Sequence, residues 1–316
     1  MNMSRAQQGK ADPGARRHVL LDVDPVADFE VIARICQMTD GADPFLRSAA
    51  YVAMTGRKGL WIYGDECAAL LLCRHPNRDG QLLVFPPVGA MGAALLRDAM
   101  ADPRLPPGNV QLARMTPENN DLATQLGAIP DREPVLDWAY PVHEVSTGAI
   151  TARTGGRFNN LRGHLHRAVR SGLWWQELDG ARDGAEVADV ARVWSGKKAG
   201  QGFTADDLIG PTRACLTLLD RKRGNLGGVV VRHAQGPAGF WIWDQISETK
   251  AVSLVRISAG GHGAAELGAA AAAQLLHARG VSVFSLGGSE TASLDQFKRK
   301  LGPVHSIELH SAMLPR

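Results

Sequence analysis

A mixed α/β (α+β) fold in two tandem units, each a twisted mixed sheet flanked by helices, is what this sequence points to. Its 316 residues exceed what one modal domain needs. Short apolar runs of strand character alternate with segments of helical period along the chain. One element order, namely hairpin, strand, glycine-bearing turn, helix and strand, occurs at residues 60–115 and again at 227–286. Composition agrees, because 45% hydrophobic and 21% charged residues exclude a wholly disordered or fibrous chain.

Residues 1–17 carry Arg5, Lys10, Arg16 and Arg17 without an apolar stretch, so they are expected to form a flexible arm and not a signal peptide. The first unit then covers 18–148. A strand starts at Val19, and a helix over 25–38 follows, with Asp24 as N-cap, Pro25 in the first turn and Asp40-Gly41 at its end. Runs at 60–63 and 67–73, separated by Gly64-Asp65-Glu66, read as a hairpin; residues 76–80 turn the chain into a strand over 81–85. A helix over 90–100, a strand over 110–115, a helix over 117–126 capped by Thr116 and a strand near 135–142 complete the unit.

A Ser/Thr/Gly cluster between 145 and 156 separates the second unit, 149–316. It opens with a helix over 157–171 stopped by Gly172, a strand over 173–178 and a helix over 185–194. Strands over 227–232 and 239–243 pair around Gln235-Gly236-Pro237, and 251–258 forms a third. Gly260-Gly261-His262-Gly263 leads into an alanine-rich helix over 264–278, followed by a strand over 281–286. Two glycines then precede a short basic helix carrying Lys298, Arg299 and Lys300, with Ser293 as its cap.

The charge balance of 35 Lys+Arg against 32 Asp+Glu, net +3, is too mild to imply nucleic acid by itself. Cys36, Cys67, Cys73 and Cys215 have no CxxC spacing, and the ten histidines have no HxxxH or HExxH spacing. Neither a disulfide framework nor a metal centre is expected, and a reduced, cytoplasmic setting follows. No run reaches the roughly 18 apolar residues of a membrane span. Gly-x-Ser-x-Gly is absent, which argues against a serine hydrolase.

Three segments can carry chemistry. At 256–264, Arg256, Ser258 and the turn Gly260, Gly261, His262 and Gly263 lie between a strand end and a helix N-terminus. There backbone N–H groups and the helix dipole suit a phosphate, or the turn is simply tight. It is neither a Walker A loop, since Ala264-Ala265 replace the lysine and hydroxyl, nor a dinucleotide fingerprint, since no acid closes the next strand. At 286–303, Ser289 and Glu290 follow a strand ending in two glycines, beside the cations Lys298 and Lys300; the alternative is a solvated helix cap. At 157–172, Arg162, His166 and Arg170 recur every four residues, with Arg167 and His164 nearby and no acid between Arg153 and Trp175. That is an anion-binding stripe or a helix packed on acidic loops. Trp241 and Trp243, two apart on one strand, share a face as core or pocket wall.

The strand ending Leu-Val-Arg-Ile-Ser258, the Gly-rich turn, the alanine-rich helix and the strand ending in Gly-Gly resemble the GNAT acyltransferase fold. The helix Arg-Phe-Asn-Asn-Leu-Arg162 and the segment Leu-Asp-Gln-Phe-Lys-Arg-Lys-Leu-Gly302 are similar to the tandem-GNAT group that contains Fem-type transferases and the soluble C-terminal domain of phosphatidylglycerol lysyltransferases. The resemblance covers about residues 140–310, the first half matching in element order alone. It implies two GNAT-like domains and transfer of an aminoacyl or acyl group to an amine or hydroxyl of a small-molecule acceptor. The donor would be aminoacyl-tRNA or alternatively acyl-CoA, with no permanently bound cofactor. Ala259 stands where acetyl-CoA users carry the first glycine of the turn, which favours aminoacyl-tRNA.

By the same resemblance Lys298 occupies the position of a lysine near the reacting ester. Glu290 first and Asp244 second would take the acceptor's proton. Arg256, Ser258, the turn, Arg162, Arg167, Arg170 and Lys300 would hold the donor's phosphates, with Trp241, Trp243 and Ser289 on the substrate side. A non-catalytic tandem domain that binds an anion or RNA is the reading from another class.

Overall fold

A computed structural model describes residues 18–39, 41–65, 67–89, 92–131, 139–198 and 205–314. The first sheet contains β1 (Val19–Val23), β2 (Leu60–Gly64), β3 (Ala68–Arg74), β4 (Gln81–Val84), β5 (Val88–Gly89), β6 (Asn109–Met115) and β7 (Ile129–Pro130). The second contains β8 (Val142–Ser146), β9 (Trp174–Glu177), β10 (Leu226–His233), β11 (Gly236–Gln245), β12 (Lys250–Ser258), β13 (Val283–Ser285) and β14 (Pro303–Ile307). The last strand, β15 (His310–Leu314), returns to the first sheet. The orders are β1-β2-β3-β4-β6-β15-β7, with β5 on β3, and β14-β8-β13-β12-β11-β10-β9.

The helices are α1 (Phe29–Gln37), α2 (Ala49–Thr55), α3 (Gly92–Ala101), α4 (Asn120–Gln125), α5 (Thr147–Ala152), α6 (Asn159–Arg170), α7 (Gly180–Lys198), α8 (Ala205–Asp220), α9 (Ala264–Ala278) and α10 (Ala292–Arg299). Among the described residues each sheet has one parallel pair, β4 with β6 and β12 with β13. A parallel pair needs a crossover, and α3 and α9 supply it. These two strand-helix-strand units are the element order that repeats in the sequence.

The arm at 1–17 and the first part of the strand expected near 135–142 lie outside the described residues. A division at 148/149 does not follow the sheets: β8 already belongs to the second, and β15 inserts between β6 and β7 of the first. The units also share a core. Ile32, Phe45, Val52 and Leu60 pack in one apolar cluster with Val187, Leu218, Phe240 and Ile242. Outside it, α9 covers Trp241, Trp243 and Phe284, and α3 covers Leu70 and Leu72.

Asp24 caps a turn, accepting from the N–H groups of Val26 (2.8 Å) and Ala27 (2.7 Å), so α1 starts later than the sequence suggests. Thr291, and not Ser293, caps α10, accepting from the Leu294 N–H at 3.3 Å. Two features open the site. Strand β12 pairs with β13 only over Lys250–Val252 and runs on to Ser258, so the strands part into a wedge. The register with β11 shifts between Ile242, opposite Val255, and Trp243, opposite Ser253; this bulge at Leu254 bends β12.

Candidate active site

A cavity of about 570 Å³ fills this wedge. Its walls from the second unit include Trp241, Arg256, Ser258, Gly287, Gly288, Glu290, Phe297 and Lys298; the first unit adds Phe45, Tyr51 and Arg57. The cations Arg57, Lys198, Arg256 and Lys298 face one carboxylate, Glu290, among the described lining residues. A potential of that sign favours an anion.

Lys298 is 2% exposed. Its Nζ donates to the carbonyl of Gly287 at 2.9 Å and to that of Gly288. Arg256 lies on β12 with its guanidinium 5.2 Å from the Trp241 ring centroid and 4.9 Å from that of Phe297. Its Nη1 and Nη2 are shielded from solvent and have no hydrogen-bond partner among the described residues. Burial pushes its pKa down to about 10, against the pull of the Glu290 charge, so it remains a cation at neutral pH. Glu290 is exposed at the cavity's edge.

The first-unit wall has its own support. Arg114, fully buried with φ of 57°, donates to Asp43 at 2.9 Å and to the Tyr51 hydroxyl at 3.1 Å. Its guanidinium is 4.6 Å from the Phe45 ring and 4.8 Å from the Tyr51 ring. Backbone strain and a buried ion pair thus fix two cavity walls.

Among the residues singled out from the sequence, Lys298, Glu290, Arg256, Ser258 and Trp241 meet at the cavity. Asp244 does not. It is buried between the units, where Oδ2 accepts from Ser48 Oγ at 2.7 Å; burial pushes its pKa up, opposed by Ser48 and by the N–H groups of Asn225 and Ala50. That corrects its place as a second base. Trp243 packs against Phe284 in the core at 6.5 Å between ring centroids, and Ser289 is buried beside the backbone of Tyr140.

The turn is packed only in part: Gly263 is buried, while Gly260, Gly261 and His262 are exposed. With φ of 84°, Gly261 would place a Cβ 3.1 Å from Leu173; with φ of 87°, Gly263 would place one 2.7 Å from the carbonyl oxygen of His164 on α6. These glycines admit α6 and the chain after it, and of the turn's glycines only Gly260 faces open space. His262 stacks on His164, 5.6 Å between centroids, and His164 lies 3.4 Å from Glu266.

Arg162 is also committed to structure, because its Nη1 donates to the carbonyls of Arg153 and Gly155, and its Nη2 to Asn159. Arg167, Arg170 and Lys300 are exposed outside the cavity. Arg57, Tyr51 and Phe45 carried no local signal that could have found them. Among the described residues, no group of three His, Cys, Asp or Glu side chains is placed to hold a metal ion. No described helix is long and apolar enough to cross a membrane.

Residues 43–308 match the family model described as phosphatidylglycerol lysyltransferase, C-terminal. No curated protein matches the chain. Solved structures that share the fold include the following three. L-PGS from Bacillus licheniformis is 16% identical, with TM-score 0.57 over 83% of this chain and 85% of that one. A tandem GNAT protein from the clavulanic acid biosynthesis pathway is 13% identical, with TM-score 0.60 over 95% and 99%. FemX is 10% identical, with TM-score 0.60 over 93% and 96%.

Proposed function

The chain belongs to the phosphatidylglycerol lysyltransferase C-terminal family, and on that premise we propose that it moves an aminoacyl group from aminoacyl-tRNA to an amine or hydroxyl acceptor by direct attack. The observation that carries this reading is the pair of cations, buried Lys298 and half-buried Arg256 with its Nη1 and Nη2 shielded, in a wedge beside the free edge of β12. An aminoacyl ester is already activated, so no protein nucleophile is required. The acceptor must attack in its neutral or deprotonated form, and Glu290 at the cavity's edge takes the proton directly or through a water.

As the new bond to the carbonyl carbon forms, the oxygen gains negative charge. Lys298 Nζ and a backbone N–H near Ile257 or Ser258 meet that charge without reorganising. Collapse breaks the ester C–O bond, and the ribose oxygen leaves with the proton that Glu290 took from the acceptor, returned directly or through a water. The unpartnered nitrogens of Arg256 take an anionic oxygen of the bound substrates. Arg167, Arg170 and Lys300 engage donor phosphates outside the cavity, so donor binding weakens steeply with salt.

Transfer from acyl-CoA would rest on residues 259–263 holding the pyrophosphate. Gly263 is packed against α6 and none of residues 259–263 lines the cavity, which supports aminoacyl-tRNA over acyl-CoA as donor. The family's name supplies one pairing for assay, lysyl-tRNA with phosphatidylglycerol vesicles, beside small amines and hydroxyl compounds. Removing one oxyanion donor costs about 100- to 1,000-fold in rate, so Lys298→Ala is expected to lose that much turnover. Lys298→Met, which retains the bulk, is expected to match it while the thermal melt holds. Near-normal activity in both would remove Lys298 from the mechanism.

A further inference from the structure

Lys298 depends on two supports, the placement of α10 and the carbonyls of the segment after β13, and one residue outside the cavity touches both. His143, on β8 and 3% exposed, places Nε2 2.7 Å from Oδ1 of Asp295, one helical turn before Lys298 on α10. Its main chain grips the other support. The His143 carbonyl accepts from the Leu286 N–H at 2.8 Å, and its N–H donates at 3.4 Å to the Gly287 carbonyl, which also receives Lys298. Ring atom Nδ1 lies 2.8 Å from the hydroxyl of Ser306 on β14.

Resting on the reading of Lys298 given above, we propose that His143 is a positioning residue, which locks α10 to β8 and so holds Lys298 against Gly287 and Gly288. The chemistry of the cluster is consistent with a fixed clamp. Burial would raise the pKa of Asp295, yet hydrogen bonds from His143 and Arg299 outweigh it and hold the carboxyl below the usual range. The anionic carboxylate accepts from Nε2–H, and the Ser306 hydroxyl fixes the other side of the ring at Nδ1. Arg299 Nε closes the other side of Asp295 at 2.6 Å. His143 is not among the cavity walls, so it acts through Lys298 and not on substrate.

Competitive acetylation with trace acetic anhydride, read by mass spectrometry, tests the clamp without any substrate. The exposed Lys222 serves as internal reference. His143→Ala is expected to raise Lys298 labelling about tenfold relative to Lys222, the scale of losing a charge-assisted hydrogen bond. His143→Gln, whose amide can still donate to Asp295, is expected to restore protection. Should His143→Ala fail to fold, the isosteric Asp295→Asn removes the anion and is expected to raise labelling in the same direction.

In turnover, His143→Ala is expected to lower kcat about 10- to 100-fold with donor KM unchanged, and to cost nothing further in a Lys298→Ala background. Lys298 labelling that does not change in the folded variant, or losses that multiply, would overturn the clamp. Donor consumption undiminished by Lys298→Ala would instead sink the transfer reading and leave the labelling result standing.

Discussion

A guanidinium held between Trp241 and Phe297, with two nitrogens that find no hydrogen-bond partner among the described residues, costs folding energy, because its desolvation outweighs the pull of the Glu290 charge. Arg256→Met should therefore raise stability by about 1–4 kcal/mol in urea unfolding while turnover falls. A variant that is both less stable and fully active would mean that Arg256 serves the fold. Asp183 has the opposite character. Burial would raise its pKa, but hydrogen bonds from Arg182, the Asp179 N–H and Arg232 hold it below the usual range.

Its pKa is thus lower folded than unfolded, so the stabilisation is present above the ordinary carboxylate range and is lost as pH falls toward the folded value. In acid-denaturation curves Asp183→Asn should be less stable at neutral pH and should lose less further stability on acidification. Lys298, Glu290 and Arg256 could be singled out from glycines beside strand ends and, for Lys298, from the resemblance, and the structure brings the three to one cavity. The role of Asp244 was not legible, since nothing in its own segment shows that Ser48, 196 positions away, binds its carboxylate.

The repeated strand-helix-strand unit could be read from sequence because glycine turns and long apolar runs fix it locally. Three helices could not: α5 lies in the Ser/Thr/Gly segment that reads as a boundary, and α2 and α8 each hide their helical signal. Every residue of α2 is buried, which erases the polar face on which a helical period depends, and α8 contains Pro211, which reads as a break. The turn before α9 shows the same limit, since a glycine needed for a neighbouring helix looks like a glycine needed for a ligand. Gly263→Ala separates the two. A left-handed backbone and a Cβ 2.7 Å from the His164 carbonyl oxygen should cost about 1–3 kcal/mol or more in thermal unfolding. A stable variant would imply that α6 yields readily and that the turn is open to ligands.

Across the protein as a whole, the two units do not separate as the chain does. Strand β15 completes the first sheet from the far end of the sequence, and α1 and α2 share a core with α7, α8 and the second sheet. Ending the chain before His310 should leave β6 and β7 unpaired on that side and abolish a single cooperative melt; residues 149–316 alone should expose the shared core and aggregate. Such exchange is invisible to local pattern, because β15 is only five residues long and its partners lie about 200 residues upstream.

The arrangement also gives the cavity walls from both units, which suits a reaction that joins two substrates. Donor consumption decides the matter most directly, with the protein given a pool of aminoacyl-tRNAs or, separately, a pool of acyl-CoAs, each with candidate amine and hydroxyl acceptors. Loss of the aminoacyl ester that needs Lys298 and fades with salt is expected, whereas consumption of acyl-CoA with charged tRNA left intact would contradict it.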